Sequence, residues 1–440
     1  MGYYLVWGLG ISGLGAISLL LTKNQKIKVW DDDKKKLLDF QEKHLLPNCL
    51  ILTKLDKKSL ADVDCIVLSP TVRIDKKTEK LTQDLGIKIM GEFSFASNFN
   101  KAPIFAVTGT NGKTTTVNML HSIFTHAGLG AHLVGNVGTP LSSVVNEINP
   151  EDKVVAELSS FQLENIEGVS ASAVAITNIA PDHMNMYSRF DDYVSAKRNI
   201  LTTVQSKKVF LNYDDPILQK WGDDRSKYFS LTPLPQNMDG MYVSKGWIYS
   251  VQSGKHDPIM PAPNLGGEHN LSNFLCAACL AYSAGVSFKK IADSIPHLVI
   301  PRHRQEVVRI LNGVSYVNDS KATNIHAVKS ALLNNKNKRI VLLLGGSDKG
   351  ENWGEFLSNL PANVICVITF GELHKALGKI LKKLGKPHFD CADVYEAVYK
   401  GKSVANLGDV VLFSPGGASF DEFSSFEERG DYFCELVNEL

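Results

Sequence analysis

The chain has almost no net charge: 47 lysines and arginines against 46 aspartates and glutamates leave +1 over 440 residues. It has no block of like charges either, so neither nucleic acid nor an anionic membrane surface is expected as the main partner. No apolar run approaches the ~20 residues of a membrane span. At the start, Tyr3–Trp7 reads as a strand and Leu19-Leu20-Leu21 as the end of an amphipathic helix, and neither resembles a signal peptide. A cytoplasmic protein without membrane insertion is expected. The cysteines are scattered and odd in number: Cys49, Cys65, Cys276, Cys279, Cys366, Cys391 and Cys434. Cys276-Ala-Ala-Cys279 lies in a helical pattern with no second pair at zinc-ligand spacing, which disfavours a disulfide framework and a structural zinc site. Internal repeats and low-complexity tracts are missing too. What remains is an ordinary globular composition, 44% apolar and 21% charged, long enough for two to four domains.

The most informative stretch is Ala106-Val107-Thr108-Gly109-Thr110-Asn111-Gly112-Lys113-Thr114-Thr115-Thr116. An apolar β-type run stops at a glycine-bearing turn, and a helical pattern starts at Lys113. In that layout successive backbone N–H groups and a helix N-terminus cradle phosphate. Lys113 is placed to reach terminal phosphates, and a hydroxyl of Thr114 or Thr115 to meet Mg²⁺. Val107 occupies the first glycine position of the usual G-x-x-x-x-G-K-[ST] pattern, and Gly109 comes two residues later.

Three segments are expected. The first, 1–93, alternates strands (Tyr3–Trp7, Ile27–Trp30, Cys65–Leu68, Ile87–Met90) with helical stretches, the signature of a parallel α/β sheet. Gly8-Leu9-Gly10-Ile11-Ser12-Gly13 follows its first strand, and Asp31, Asp32 and Asp33 follow the second, where a dinucleotide fold keeps its ribose-binding acid. Such a turn binds any diphosphate, that of UDP as well as that of NAD. Ser69-Pro70, at another strand end, could close the same crevice.

The second segment, 94–298, carries the phosphate loop. The run Val154-Val155-Ala156-Glu157 ends in a carboxylate, where a P-loop enzyme keeps its second metal group. Another strand, Ala173–Ile176, leads into Thr177 to His183, so Glu157 and His183 are expected to converge on the loop. A helix over Asp192–Thr203 carries Lys197, a position that is usually a solvated charge. Between Gln236 and Ile259 the pattern turns to hairpins, for example Met241–Ser244 with Trp247–Ser250, an antiparallel structural insertion, and Gly266-Gly267-Glu268-His269-Asn270 opens a helix. The third segment, 299–440, is α/β again, with strands Ile340–Leu344, Val364–Phe370 and Val410–Phe413 and polar loops at strand ends.

Together these motifs resemble the Mur ligases, the ATP-dependent amino-acid-adding enzymes of peptidoglycan synthesis. Thr108 to Thr115 looks like the superfamily's phosphate loop. Glu157-Leu158-Ser159-Ser160-Phe161-Gln162-Leu163 is similar to the form used by the D-glutamate-adding member. So are Asn178-Ile179 with Asp182-His183, Glu268-His269-Asn270, His303-Arg304-x-Glu306, Asn318 to Asn324, and Glu427-Glu428-Arg429-Gly430. Thr71 stands where the family usually has glycine, Gly416-Gly417 replace a more common Ala-Cys, and Asn185-Met186 replace an acidic and a basic residue.

The resemblance implies three domains: an N-terminal Rossmann-like UDP-binding domain, a central P-loop ATPase-type α/β domain and a C-terminal Rossmann-like domain that closes on the second. It implies a monomer that adds D-glutamate to UDP-N-acetylmuramoyl-L-alanine through an acyl phosphate, using ATP and two Mg²⁺ ions. Lys113, His183, Lys197 and Lys321 are implied to be catalytic. Gly109, Thr110, Asn111, Gly112, Lys113, Thr114, Thr115, Asn270, Arg304 and Asp319 are implied to hold ATP. Ile11, Ser12, Asp31, Asp32, Asn136, Ser159 and Gln162 are implied to hold the UDP substrate, and Thr323, Lys349, Ser419 and Phe420 D-glutamate. Thr114, Thr115, Glu157, His183 and Lys197, the last as a carbamate, are implied at the metals. The competing readings are a folylpolyglutamate synthase-like ligase, an NAD-dependent oxidoreductase built on Gly8–Gly13, and a nucleotide-binding module without chemistry.

Overall fold

The computed structural model describes residues 2–43, 49–182, 184, 186–204, 208–348 and 350–440. The chain forms two compact units, residues 1–300 and 301–440.

The first unit holds two sheets. One is parallel, in the order β3-β2-β1-β4-β5, from β1 (Tyr3–Trp7), β2 (Ile27–Trp30), β3 (Cys49–Ile51), β4 (Val63–Leu68) and β5 (Lys88–Gly91). The chain winds outward from β1 to β3 and then restarts at β4 on the other side of β1. Their carboxyl ends flank the switch point, where open α/β sheets bind ligands.

The second sheet runs β14-β13-β12-β11-β10-β9-β6-β8-β7. Its parallel body is β6 (Ile104–Thr108), β7 (Ala131–Gly135), β8 (Lys153–Glu157), β9 (Ala173–Ile176), β10 (Val209–Asn212), β11 (Ser226–Ser230) and β12 (Gly240–Ser244). Strand β6 is buried along its whole length, as a central parallel strand covered on both faces must be. The helix Lys113–His126 leaves β6 and buries Val117, Met119, Leu120, Ile123 and Phe124. It shares one apolar core with the helix Glu268–Ser283, in which Cys276 and Cys279 are packed side chains. All seven cysteines are free thiols.

The antiparallel hairpins expected between Gln236 and Ile259 are found, joined to the sheet edge. Strands β12, β13 (Trp247–Gln252) and β14 (Lys255–Pro261) extend the sheet, the last two antiparallel. The two prolines of β14 are tolerated because it is the edge strand. The helix expected over Asp192–Thr203 is the α-helix Phe190–Arg198 followed by a 3-10 turn, Asn199–Thr203.

The second unit is one six-stranded sheet in the order β15-β16-β20-β17-β18-β19. Its strands are β15 (Glu306–Leu311), β16 (Val314–Asn318), β17 (Ile340–Gly345), β18 (Val364–Phe370), β19 (His388–Asp390) and β20 (Val410–Gly416), parallel except for β15. Its apolar side chains form two cores, as helices on both faces of a sheet require. The expected α/β class is found in both units. Among the described residues no helix is long and apolar enough to cross a membrane.

Candidate active site

The phosphate loop is shaped by two glycines that no other residue could replace. Gly109 (φ 148°) and Gly112 (φ 81°) lie in the region that side chains avoid. A Cβ at Gly109 would come within 1.9 Å of Thr177 Oγ1, and one at Gly112 within 2.2 Å of Asn273 Oδ1. The segment after β9 fixes the loop from behind. The Asn111 N–H donates to Asn178 Oδ1 at 2.8 Å, and Asn178 Nδ2 and Thr177 Oγ1 both donate to the Asn111 carbonyl. Lys113 Nζ donates to the Gly109 and Thr110 carbonyls at 2.9 and 2.8 Å. Thr114 and Thr115 are buried at the first turn of the helix.

Lys197 is not the solvated charge that its position alone suggested. It is 2% exposed and donates to the Gly109 carbonyl at 2.7 Å. Its helix turns Tyr193, Ala196 and Lys197 inward, and the ammonium lies 4.8 Å over the Tyr193 ring. Burial, and then the Lys113 ammonium, push the Lys197 amine well below its usual range, with Asp182 and Glu157 pulling the other way.

Glu157 ends β8 and is 1% exposed. Its Oε1 accepts from Asn136 Nδ2 at 2.8 Å, while Oε2 is buried with no hydrogen-bond partner among the described residues. A buried carboxylate oxygen without a donor suits a cation, and oxygen ligands suit a hard divalent one. Asn136, expected at the UDP substrate, is thus also the partner of the expected metal ligand. His183 and Lys349 lie outside the described residues.

In the nucleotide crevice, Ser69 Oγ donates to the Gly8 carbonyl, which joins the end of β4 to the glycine turn. A Cβ at Gly13 would strike that same carbonyl at 1.7 Å, so the helix can start there only with glycine. Asp31 is buried and accepts from the Leu9 and Asp33 N–H groups, so it holds the turn. Asp32 accepts from the indoles of Trp7 and Trp30, both at 3.1 Å. Ile11 is 78% exposed beside partly exposed Ser12. Ser159 and Gln162 bond one another in a capping box at the short helix Ser160–Leu163. Asn270 Nδ2 donates to the Leu265 carbonyl, and Asn273, one turn further on, accepts from Thr116 Oγ1 at 3.4 Å.

In the second unit the expected residues gather at the carboxyl ends of β16 and β20. Asp319 is buried and accepts from Ser414 Oγ at 2.7 Å. Burial raises its carboxyl to about 7, against the pull of Ser414, the Gln305 N–H and Arg304. Arg304 is flanked by His303 (φ 63°) and Gln305 (φ 52°), two strained non-glycine residues. Lys321 Nζ sits 3.8 Å over the Phe426 ring. Thr323 is partly exposed, Ser419 is buried and Phe420 is 75% exposed.

Sequence reasoning assigned Arg429 no role. It is fully buried and donates to Ser320 Oγ and to the carbonyls of Ser320, Gly417 and Ala418. Burial lowers its guanidinium to about 10, with Asp421 and Glu422 opposing. It clamps the loops after β16 and β20 to each other. The signal was present in Glu427-Glu428-Arg429-Gly430, but four bonds to atoms 11 to 109 residues away leave no mark in a sequence.

Fold and site define a class: a phosphate-loop α/β protein carrying a nucleotide-type crevice and a further Rossmann-like unit. The comparisons narrow it. Residues 3–91 match the Mur ligase MurD-like N-terminal domain, 107–281 the Mur ligase middle domain, and 303–417 the Mur ligase glutamate ligase domain. UDP-N-acetylmuramoylalanine–D-glutamate ligase of Thermoanaerobacter sp. (strain X514) is 38% identical over 99% of this chain and 98% of its own. The enzyme of the same name from Streptococcus equi subsp. zooepidemicus is 32% identical over 99% and 96%. The chain belongs to the Mur ligase family. A pseudomurein peptide ligase type C from Methanothermus fervidus shares the fold at TM-score 0.60 and 19% identity, each chain covered in full. So does UDP-N-acetylmuramate-alanine ligase MurC from Thermotoga maritima, at 0.54 and 18%, with 100% of this chain and 99% of that one covered.

Proposed function

We propose that this protein joins D-glutamate to UDP-N-acetylmuramoyl-L-alanine at the expense of ATP, which becomes ADP and phosphate. The substrates come from the names of its full-length relatives. The observation that carries the chemistry is the gathering of Lys113, Lys197 and half-partnered Glu157 at one phosphate loop.

A carboxylate becomes acylating only when its oxygen is made a leaving group. The alanyl carboxylate attacks the γ-phosphorus of ATP, the bond to ADP breaks, and an acyl phosphate results. The D-glutamate amine then adds to that carbonyl, and phosphate departs with the bonding pair as the amine gives up its proton. The first step brings two anions together, so charge compensation is its main requirement. Lys113 supplies it at the β- and γ-phosphates, exchanging the Gly109 and Thr110 carbonyls for phosphate oxygens. The family resemblance assigns Asn270, Arg304 and Asp319 to the nucleotide and Lys321 to the reacting groups. The resemblance assigns Thr323, Lys349, Ser419 and Phe420 to D-glutamate.

Thr114, Thr115 and Glu157 would hold one Mg²⁺, and the resemblance gives His183 to a second; the ions would supply positive charge to phosphoryl and acyl oxygens. Lys197 serves as a carbamate. Its depressed amine is uncharged over more of the neutral range than an ordinary lysine, so it can add CO₂ and release a proton, becoming an anion near the metals.

Phosphate release from ATP, measured with UDP-N-acetylmuramoyl-L-alanine and each candidate amino acid in turn, tests the reading. Release should need both co-substrates and be fastest with D-glutamate; no release with both present rejects it. The dinucleotide oxidoreductase reading of Gly8–Gly13 has no support from the relatives, which are ligases over the whole chain.

A further inference from the structure

We propose that Arg73 is a positioning residue, linking the loop that closes the nucleotide crevice to the phosphate loop so that a seated UDP favours ATP binding. This rests on the ligase reading above. Arg73 follows Ser69-Pro70-Thr71-Val72. The Val72 N–H donates to the Ser69 carbonyl, and Ser69 Oγ donates to Gly8, so this loop moves with the glycine turn.

From Arg73 the contacts run without a break. Its Nη1 lies 2.7 Å from Glu164 Oε2, its Nη2 donates to Oε1 at 3.4 Å, and its plane lies 4.7 Å from the centre of the Phe161 ring. Edge and face of the guanidinium are both engaged, which lysine could not reproduce. Glu164 Oε1 also accepts from the Tyr187 hydroxyl at 2.6 Å, and the Tyr187 ring stacks parallel to Phe161 at 5.7 Å. Tyr187 meets Tyr193 edge-on at 5.4 Å.

The Tyr193 hydroxyl lies 3.0 Å from Thr110 Oγ1, inside the phosphate loop. Thr110 Oγ1 has one proton, which goes to the Ala180 carbonyl, and it also accepts the Ala180 N–H. Tyr193 is therefore the donor. The same ring lies under Lys197. Ser69, Pro70, Phe161 and Gln162 line one small cleft beside Arg73, so the start of this line faces the expected substrate path. Arg73 and Glu164 keep 36% and 29% of their side-chain exposure. A pair this open adds little to folding stability, so its effect should be sought in binding.

The test is the affinity of a fluorescent ATP analogue for the intact chain, with and without saturating UDP, alongside steady-state turnover. In the unmodified protein UDP should tighten analogue binding by about 3- to 10-fold, the scale of coupling carried by side-chain networks. Arg73→Ala should abolish that tightening, Arg73→Lys should keep part of it, and adding Tyr187→Phe to Arg73→Ala should change nothing more. An unmodified protein indifferent to UDP, or an Arg73→Ala protein that responds as fully as the parent, overturns the proposal. So does Arg73→Ala with a lower melting temperature but intact tightening, which would make the pair a structural contact only. Intact tightening in the parent, its loss in Arg73→Ala and no turnover would support the link and count against the ligase reading alone.

Discussion

Replacing Asp319 by asparagine should change the stability of the second unit in a way that depends on pH. Burial holds the Asp319 carboxyl at about 7 in the folded chain, against about 3.9 when unfolded. The folded state then binds more protons than the unfolded state between those values. Stability is therefore lost as pH rises through the window and is level above it. About three pH units at about 1.36 kcal/mol each amount to roughly 4 kcal/mol, and about two-thirds of this falls between about pH 5 and pH 8. Asparagine has no such term. Its amide would face the Gln305 N–H, a mismatch worth about 1–3 kcal/mol at any pH, so the absolute sign of the change is not the informative quantity. The informative quantity is the difference between variant and parent, followed across pH, because every other titrating group cancels. Chemical denaturation of the full chain should show that difference moving in favour of Asp319→Asn by about 2–3 kcal/mol from about pH 5 to pH 8. A difference flat across that range would mean that Asp319 stays ionised at no penalty, held by Arg304 and Ser414, and the reasoning would be wrong.

Three further outcomes follow from the same geometry. Lys197→Ala should lose most ligase activity, and added formate or acetate should restore part of it; a fully active variant removes the carbamate. Glu157→Gln keeps the Asn136 contact but loses the charge, so Mn²⁺ binding followed by electron paramagnetic resonance should weaken by at least about ten-fold; unchanged binding would place the metal elsewhere. Arg429→Met leaves the buried Ser320 and Gly417 carbonyls without their donor, while Ala418 keeps the Ser347 N–H. It should destabilise the second unit by about 3–5 kcal/mol, read as an earlier unfolding transition for that unit alone, and a change under about 1 kcal/mol would show that the clamp is dispensable.

What could be read from the sequence follows the range of the interactions. The phosphate loop was legible because strand, glycine turn and helix are consecutive and each has its own period. Strand β3 was not, being three residues long and not fully buried. Strand β14 was legible only as part of the hairpin pattern ending at Ile259, because its prolines and charges break the alternation. Asp32 was read as a ribose acid from its distance to Gly8–Gly13, yet it is held by two indoles, one from a neighbouring strand 25 residues away. Ser159 and Gln162 were assigned to substrate although S-x-x-Q is also a capping signature, and the cap is what the fold displays. Lys197 shows the limit best. The i, i+4 spacing of Tyr193 and Lys197 marks a shared helix face, but nothing local says that this face meets the phosphate loop.

That burial makes Lys197 a test of whether the fold gives up stability for chemistry. An ammonium at 2% exposure loses most of its hydration, and its neighbour Lys113 repels it. Against this stand one hydrogen bond to the Gly109 carbonyl, the Tyr193 ring, and the attraction of Asp182 and Glu157. The Gly109 carbonyl also accepts from Lys113, so removing the Lys197 amine leaves no orphaned acceptor there. Methionine has a similar length, no charge, and a thioether that packs well against an aromatic ring. Lys197→Met should therefore raise the unfolding midpoint of the first unit in bicarbonate-free buffer while abolishing ligation, a gain and a loss from one substitution. If the midpoint falls instead, the ammonium is well compensated by Asp182 and Glu157. The depressed amine on which carbamate formation depends would then lose its physical basis.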